Sequence, residues 1–172
     1  MNMMVDEIQL VDKLFDEKIK ELKEILPKKY LIAGDMLQYN CAALTMKHFL
    51  DIIKLEDLNL INMASPTAAV TGTCGAVNAS LMIIGIIKGQ YGKKILHQMN
   101  ASAEAMKFIK RFKKEFGSYM CTDLTGCDLL KIEEMQRYRD EGIWSKQCYK
   151  HVIKSLDIIR HLYKKNILKL LK

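Results

Sequence analysis

Apolar residues recur every three or four positions along most of this chain, which is the spacing of one face of an α-helix. Residues 5–26 show the pattern most clearly, because Asp, Glu and Lys fill the other face and Pro27 ends the run. The apolar positions of this predicted amphipathic helix are Ile8, Val11, Phe15, Ile19, Leu22 and Ile25. Such a stripe needs an apolar surface to pack against.

Shorter helices are predicted between this helix and the middle of the chain. One spans residues 29–38, and the next begins near Cys41, where Asn40 is a good N-cap residue. Residues 56–64 form another turn or two of helix. Residues 65–73 are small and polar and show no apolar period, which indicates a loop.

The stretch from Cys74 to Ile87 carries no charged residue on any face. Only a helix surrounded by other helices tolerates this composition, so the stretch is predicted to be a central helix, with Thr73 as its N-cap. Its first turns also lack bulk, which lets a neighbouring backbone or a ligand come close. The small residues are Gly75, Ala76, Ala79 and Ser80.

Further helical stretches follow in the second half of the chain. A basic amphipathic helix spans about residues 99–116. Its predicted inward residues are Met106, Ile109 and Phe112 or Phe116. Residues 121–127 form a short turn or helix, residues 130–138 form another, and Cys148 opens the last long helix after a break at Gly142.

These patterns predict an all-α protein, a single-domain helical bundle with a central uncharged helix at about residues 74–88. Residues 1–30 form the N-terminal amphipathic helix and residues 31–172 the cysteine-containing helical domain, within one globular unit. The length of 172 residues and the apolar content of 49% suffice for one packed core. No stretch shows the sustained alternation typical of strands.

The charge and the hydropathy of the sequence limit where the protein is expected to be located and which partners it is expected to bind. The formal net charge of +7 does not indicate nucleic acid, because basic residues alternate with acidic ones along the helices. No apolar stretch approaches the roughly 20 residues of a membrane span, and the N-terminus lacks the basic and apolar regions of a signal peptide. We therefore expect a cytoplasmic protein without a transmembrane segment. The apolar stripes of the terminal helices leave self-packing, a membrane surface and a homodimer as alternatives.

Four of the five cysteines share one kind of position, at the point where a loop passes into a helix. A helix start carries free backbone N–H groups and a partial positive charge, which stabilise a thiolate and make a cysteine reactive. In a reducing compartment, redox or metal chemistry is a better explanation of such residues than permanent disulfides. The four cysteines are Cys41, Cys74, Cys121 and Cys148.

The order and spacing of these residues resemble a known family, the redox-active proteins named for the cysteine pattern C_GCAxxG_C_C. The matching segments are Tyr39-Asn40-Cys41-Ala42, Gly72-Thr73-Cys74-Gly75-Ala76, Phe116-Gly117-Ser118 before Cys121, Asp123-Leu124, Gly126, and Cys148. The resemblance implies redox activity at the same four cysteines and makes Cys127 an additional one. The chain departs from the pattern at Ala79, where the motif has glycine, and in residues 65–71, where the family has a glycine-rich loop.

Two mechanisms fit these residues, and a third interpretation needs no chemistry. In the first, Cys74 is the attacking thiolate, its pKa lowered by the helix start, and Cys41 resolves the mixed disulfide, as in a thiol–disulfide oxidoreductase or electron carrier. No cofactor is needed, and the partner is a redox protein or a small thiol. In the second, all four cysteines bind an iron–sulfur cluster or another metal for electron transfer. In the third, the cysteines are inert filler in an interaction module.

The histidines are weaker candidates than the cysteines. His151 lies three residues after Cys148, and His48 lies two helical turns after Cys41, so each is an alternative base or ligand for a thiolate. An ordinary surface or boundary position is the favoured interpretation of both.

Overall fold

The computed structural model describes residues 2–28, 39–89 and 95–171, and this part of the chain is helical. The prediction of an all-α fold is confirmed. The helices are α1 (Asn2–Ile25), α2 (Cys41–Ile53), α3 (Leu58–Ala64), α4 (Gly75–Gly89), α5 (Ile95–Phe116), α6 (Cys121–Thr125), α7 (Ile132–Asp140) and α8 (Tyr149–Leu170). A 3₁₀ turn covers Ser65–Thr67 and a π-helical turn covers Trp144–Cys148. The helix predicted over residues 29–38 lies outside the described residues.

Helix α4 is the centre of the bundle, as its uncharged sequence predicted. It packs against α2, α5 and α8. Val77, Ile83 and Ile84 are fully buried in these contacts. Among the residues of α4 whose exposure the structure describes, only Gly85 is exposed. Helix α4 is therefore almost completely enclosed by its neighbours.

Helix α1 packs along α8, which supplies the partner that its apolar stripe requires. Val11 and Phe15 are fully buried. The Lys164 ammonium lies 2.7 Å from the Asp12 carboxylate across the two helices, and the Trp144 indole N–H donates to the Leu26 carbonyl at 2.9 Å. Within the described residues, the stripe of the first helix is thus covered by the chain's own last helix.

Helix α5 differs from the prediction in which side chains face inward. Phe108 and Phe112 are fully buried, whereas Met106 is 65% exposed, so its predicted inward position is wrong. The reason is the helical period: Phe108, Phe112 and Phe116 form one stripe at four-residue spacing, and a residue two positions before Phe108 points about 200° away. The larger aromatic stripe determines the buried face.

Two asparagines hold the beginning of the loop of residues 65–73 against α2 and α4. The Asn40 side chain accepts from the Ala42 and Ala43 N–H groups at 3.1 and 3.0 Å, which confirms the predicted N-cap of α2, and its amide donates to the Ser65 carbonyl at 2.8 Å. The Asn78 amide donates to the Thr67 carbonyl at 2.8 Å. The first three residues of the loop are therefore fixed at the starts of α2 and α4.

No helix in the described part of the chain is long and apolar enough to cross a membrane.

Candidate functional site: a buried group of cysteines

Cys41 lies directly against the start of α4. A Cβ atom placed on Gly75 would lie only 2.5 Å from the Cys41 sulfur and 3.1 Å from the Ala42 nitrogen. The absence of a side chain at Gly75 therefore lets the starts of α2 and α4 meet. This confirms that the small residues of the central helix admit a neighbouring backbone, and it places the Cys41 sulfur beside the residue that follows Cys74.

Cys74 and Cys121 are joined by a small piece of antiparallel pairing. Thr73 and Met120 form a β-bridge, in which the Cys74 N–H donates to the Tyr119 carbonyl at 2.9 Å and the Cys121 N–H donates to the Gly72 carbonyl at 2.8 Å. The bridge fixes two helix starts that lie 47 positions apart in the sequence. Thr73 is thus used in the bridge and does not cap α4 as predicted.

Cys74 itself occupies the cap position of α4. Its carbonyl accepts from the Asn78 N–H at 3.0 Å, which is the first hydrogen bond of the helix. The backbone N–H groups of Val77 and Ala76 hydrogen-bond to its sulfur and lower its pKa. Cys41 and Cys121 are the first residues of α2 and α6, so three of the four predicted placements at helix starts are confirmed.

Cys148 is the exception to this placement. Helical backbone begins at Ile143, and Cys148 is the last residue of the π-helical turn that leads into α8. It therefore lies in the second turn of a continuous helix and not at its start. Its sulfur instead accepts a hydrogen bond from the Tyr138 hydroxyl at 3.2 Å, and both side chains are buried. π-Helical turns are frequent at functional sites, which makes this departure from a regular helix informative.

Removal of the Tyr138 hydroxyl is expected to make Cys148 less reactive. Burial raises the pKa of Cys148 to about 12, and the hydrogen bond from Tyr138 opposes this rise. A hydrogen bond to a charged group contributes about 1.5–3 kcal/mol, and about 1.4 kcal/mol corresponds to one pKa unit. Tyr138→Phe should therefore slow iodoacetamide alkylation of Cys148 at pH 9 by about tenfold or more, measured by mass spectrometry of the tryptic peptide 147–150.

Tyr149→Phe is the control for this substitution. Tyr149 adjoins Cys148 in sequence, but its ring contacts the Lys150 ammonium, 5.8 Å from the ring centroid. Equal alkylation rates in the Tyr138→Phe and Tyr149→Phe proteins would show that the hydroxyl does not act on the Cys148 thiolate.

Burial, and not the helix starts, dominates the acidity of the site. It is the largest influence on Cys41, whose pKa rises to about 11, and it raises the pKa of Cys74 well above its ordinary value. It also raises the pKa of Cys121. Backbone N–H groups lower the pKa of Cys41 and of Cys74 by less than burial raises it. The prediction that Cys74 has a lowered pKa is therefore wrong, because sequence shows a helix start but not the apolar surroundings of the sulfur.

The charge of Cys41 influences the pKa of two other family cysteines, and the charge of the third influences the pKa of Cys41. After burial, the charge of Cys41 is the largest influence on the pKa of Cys74. The charge of Cys41 also raises the pKa of Cys148, where only burial and the hydrogen bond from Tyr138 have larger effects. For Cys41 itself, the charge of Cys121 ranks next after burial. Like charges raise each other's pKa only when they lie close together. The contact of Cys41 with Gly75 and the Thr73–Met120 bridge thus bring the segments of Cys41, Cys74 and Cys121 together, and the charge of Cys41 also acts on Cys148.

Cys127 belongs to the same group although it is outside the family pattern. It is 1% exposed, and the Thr125 hydroxyl accepts from its N–H at 3.2 Å. The same hydroxyl donates to the Cys121 carbonyl at 2.7 Å. All five cysteines are free thiols, with Cys41 and Cys121 half-buried and the other three buried.

His48 and His151 are buried, so the favoured interpretation of surface or boundary positions is wrong for both. The His48 Nδ1 lies 3.3 Å from an Asp51 carboxylate oxygen. The His151 ring packs edge-on against Phe116, with ring centroids 4.6 Å apart. The His151 ring is thus packed within the aromatic part of the core. His161 is exposed, and the side chain of His97 is outside the described residues.

Acidification is expected to destabilise the protein through these two buried rings. Burial lowers the pKa of His48 and of His151 from 6.5 to about 4. Above pH 6.5 both rings are neutral whether the chain is folded or unfolded, so they add no pH dependence. As the pH falls from 6.5 towards 4, only the unfolded chain binds the protons, and the free energy of unfolding decreases by up to about 3 kcal/mol per histidine.

His151→Leu should therefore remove about half of the decrease in the free energy of unfolding between pH 7 and pH 4.5, measured by urea denaturation. His161→Leu, on the same helix but with an exposed ring, should keep the full decrease. An unchanged pH dependence in His151→Leu would mean that this ring is protonated without unfolding.

The described residues do not provide a preformed ligand set for the metal-binding alternative. Among the described residues, no group of three or more His, Cys, Asp or Glu side chains is arranged to hold a metal ion. Thiolate sulfurs lie about 2.3 Å from a bound metal, so an iron–sulfur cluster at the four family cysteines would need their side chains to rearrange.

Two contributors to the site gave no signal in the sequence. Tyr138 lies on α7, ten positions before Cys148, and only the packing of α7 brings its hydroxyl to that sulfur. Thr125 resembles any helix-end threonine until its hydroxyl is seen between Cys121 and Cys127. Trp144, four positions before Cys148, is buried and donates its indole N–H to the Leu26 carbonyl.

The fold and the site together define an all-α protein with free thiols contributed by four separate segments. Residues 39–162 match the family described as "Putative redox-active protein (C_GCAxxG_C_C)", and the chain belongs to this family. The resemblance found in the sequence is therefore confirmed, with a redox role as its general function. A comparison with curated proteins gives no match, and neither does a comparison with solved structures.

Proposed function

We propose that this protein carries out reversible thiol–disulfide exchange, with Cys41 and Cys74 as the exchanging pair. The observation that supports it most directly is the contact of the Cys41 sulfur with Gly75, the residue next to Cys74. The bond between two sulfurs requires Cα atoms within about 7 Å, which helix starts in contact can provide. The partner is a disulfide of a redox protein or of a small thiol.

The sequence suggested that Cys74 attacks and Cys41 resolves, but the exposure of the two residues favours the reverse assignment. An attacking thiolate must reach the sulfur of an incoming disulfide, and Cys41 is half-buried whereas Cys74 is only 5% exposed. Cys41 is also hydrogen-bonded by the N–H groups of Gly75 and Ala42, which favour its thiolate. We therefore assign the attack to Cys41 and the resolving step to Cys74.

The reaction balances without a cofactor. The Cys41 thiolate attacks one sulfur of the substrate disulfide, the first substrate thiolate leaves, and a mixed disulfide forms. The Cys74 thiolate then attacks the Cys41 sulfur and releases the second substrate thiolate. The two protons of the protein thiols pass to the two leaving groups, so one substrate disulfide becomes two thiols and the protein gains one disulfide.

The test is to treat the protein, purified without oxygen, with oxidised glutathione and to map its disulfides. Trypsin places Cys41 in peptide 30–47 and Cys74 in peptide 55–88. We expect these two peptides to become cross-linked, and we expect Cys74→Ser to retain glutathione on Cys41. Cys41 and Cys74 that remain fully alkylatable after oxidation would contradict the proposal.

An absorption spectrum and a metal analysis of the same sample separate exchange from the metal alternative. A colourless, metal-free protein that gains disulfides supports exchange. Visible absorption together with bound iron would favour a cluster and electron transfer.

A further inference from the structure

Cys127, the cysteine outside the family pattern, lies where the chain folds back on Cys121. Helix α6 ends at Thr125, and Gly126 follows with φ +68°, its N–H donating to the Thr122 carbonyl at 2.7 Å. The Arg137 guanidinium donates to the Gly126 carbonyl and holds this turn from the side. The turn is a left-handed helix end, which favours glycine.

This kind of helix end brings a particular pair of residues together. The residue after the left-handed glycine commonly packs against the side chains five or six positions before it. For Cys127 these are Thr122 and Cys121. The Thr125 hydroxyl binds both parts of the turn, since it donates to the Cys121 carbonyl at 2.7 Å and accepts from the Cys127 N–H at 3.2 Å.

The electrostatics of Cys121 agree with this packing. After burial and the Thr125 hydroxyl, the largest influence on the pKa of Cys121 is the charge of Cys127, which raises it. The two thiols also differ in exposure, since Cys121 is half-buried and Cys127 is 1% exposed. Cys121 can therefore meet a substrate disulfide, whereas Cys127 can act only from the interior of the protein.

We propose that Cys121 and Cys127 form a second exchanging pair, in which Cys121 attacks and Cys127 resolves. The proposal rests on the proposed function, because it uses the same class of substrate, a disulfide of a small thiol or of a protein. The Cys121 thiolate displaces one substrate thiolate, and the Cys127 thiolate displaces the other from the Cys121 sulfur. The two protein protons go to the leaving thiolates, and the chain then holds two disulfides.

The sequence provides a direct readout, because no Lys or Arg separates the two cysteines. Both lie in the tryptic peptide 115–131, whereas Cys148 lies in peptide 147–150. In the full chain oxidised with oxidised glutathione, we expect peptide 115–131 to lose two hydrogen atoms and to resist alkylation. In Cys127→Ser we expect this internal disulfide to disappear and glutathione to remain on Cys121. Cys148→Ser is the matched control and should keep the internal disulfide.

A cross-link between peptides 115–131 and 147–150, with Cys127 still alkylatable, would overturn the proposal, since Cys148 would then be the partner of Cys121. Two free thiols in peptide 115–131 after the Cys41–Cys74 disulfide has formed would overturn it as well. Failure of the proposed function is seen separately, as the absence of the cross-link between peptides 30–47 and 55–88.

Discussion

Gly75→Ala should destabilise the protein by about 1–3 kcal/mol and impair the Cys41–Cys74 disulfide. The new Cβ would lie 2.5 Å from the Cys41 sulfur and 3.1 Å from the Ala42 backbone nitrogen. The sulfur can turn away, but the backbone of α2 cannot do so without moving the helix. Either response separates Cys41 from Cys74. Urea denaturation measures the first effect, and cross-linking of peptides 30–47 and 55–88 measures the second.

Gly85→Ala is the matched control, in the same helix with the same change. A Cβ at Gly85 meets no atom within 4 Å, so only helix propensity acts there. Alanine is favoured over glycine in a helix interior by up to about 1 kcal/mol, and this variant should be slightly more stable than the natural protein. If both variants gained stability, the close approach of α2 to α4 would be disproved.

Phe15→Ala should be the most destabilising of the substitutions considered, at about 3–5 kcal/mol. Phe15 is fully buried where α1 packs along α8, and its removal leaves a cavity that two long helices cannot easily close. The free energy of unfolding from urea denaturation gives the size of the effect. Hydrogen exchange of the α1 amides should also become faster, since the packing of this helix depends on its apolar stripe.

Leu10→Ala on the same helix serves as the comparison. Leu10 is 46% exposed, so its removal should change the free energy of unfolding by no more than about 0.5 kcal/mol. A Phe15→Ala protein as stable as Leu10→Ala would mean that α1 does not pack against α8 in solution. The apolar stripe would then be free to form the homodimer that the sequence left open as an alternative.

The sequence predicted the helix-start placement of Cys41, Cys74 and Cys121 correctly, and the direction of the Cys74 pKa wrongly. Asn40 marked the start of α2, and the uncharged stretch after Cys74 marked a central helix, because caps and periodicity are local signals. The direction of the Cys74 pKa was wrong because it depends on how much water the fold removes from the sulfur. Burial of this kind is the sum of many distant contacts.

The error at Cys148 has a different origin. Gly142 does break the chain, with φ +61°, but helical backbone resumes at Ile143, so Cys148 falls in the second turn. Nothing local distinguishes a π-helical turn from the start of a regular helix. The hydrogen bond from Tyr138 likewise depends on how α7 packs against this turn.

The sequence by itself determined the helical class, the central place of α4 and the cysteines that are candidates for the chemistry, because each follows from spacing, capping or composition along the chain. Only the tertiary structure decided that the Cys41 sulfur meets Gly75, that Thr73 and Met120 pair, and that desolvation raises the pKa of the Cys41 thiol. These features join segments distant in sequence, and the balance between desolvation and hydrogen bonding at a sulfur is set by all its neighbours together.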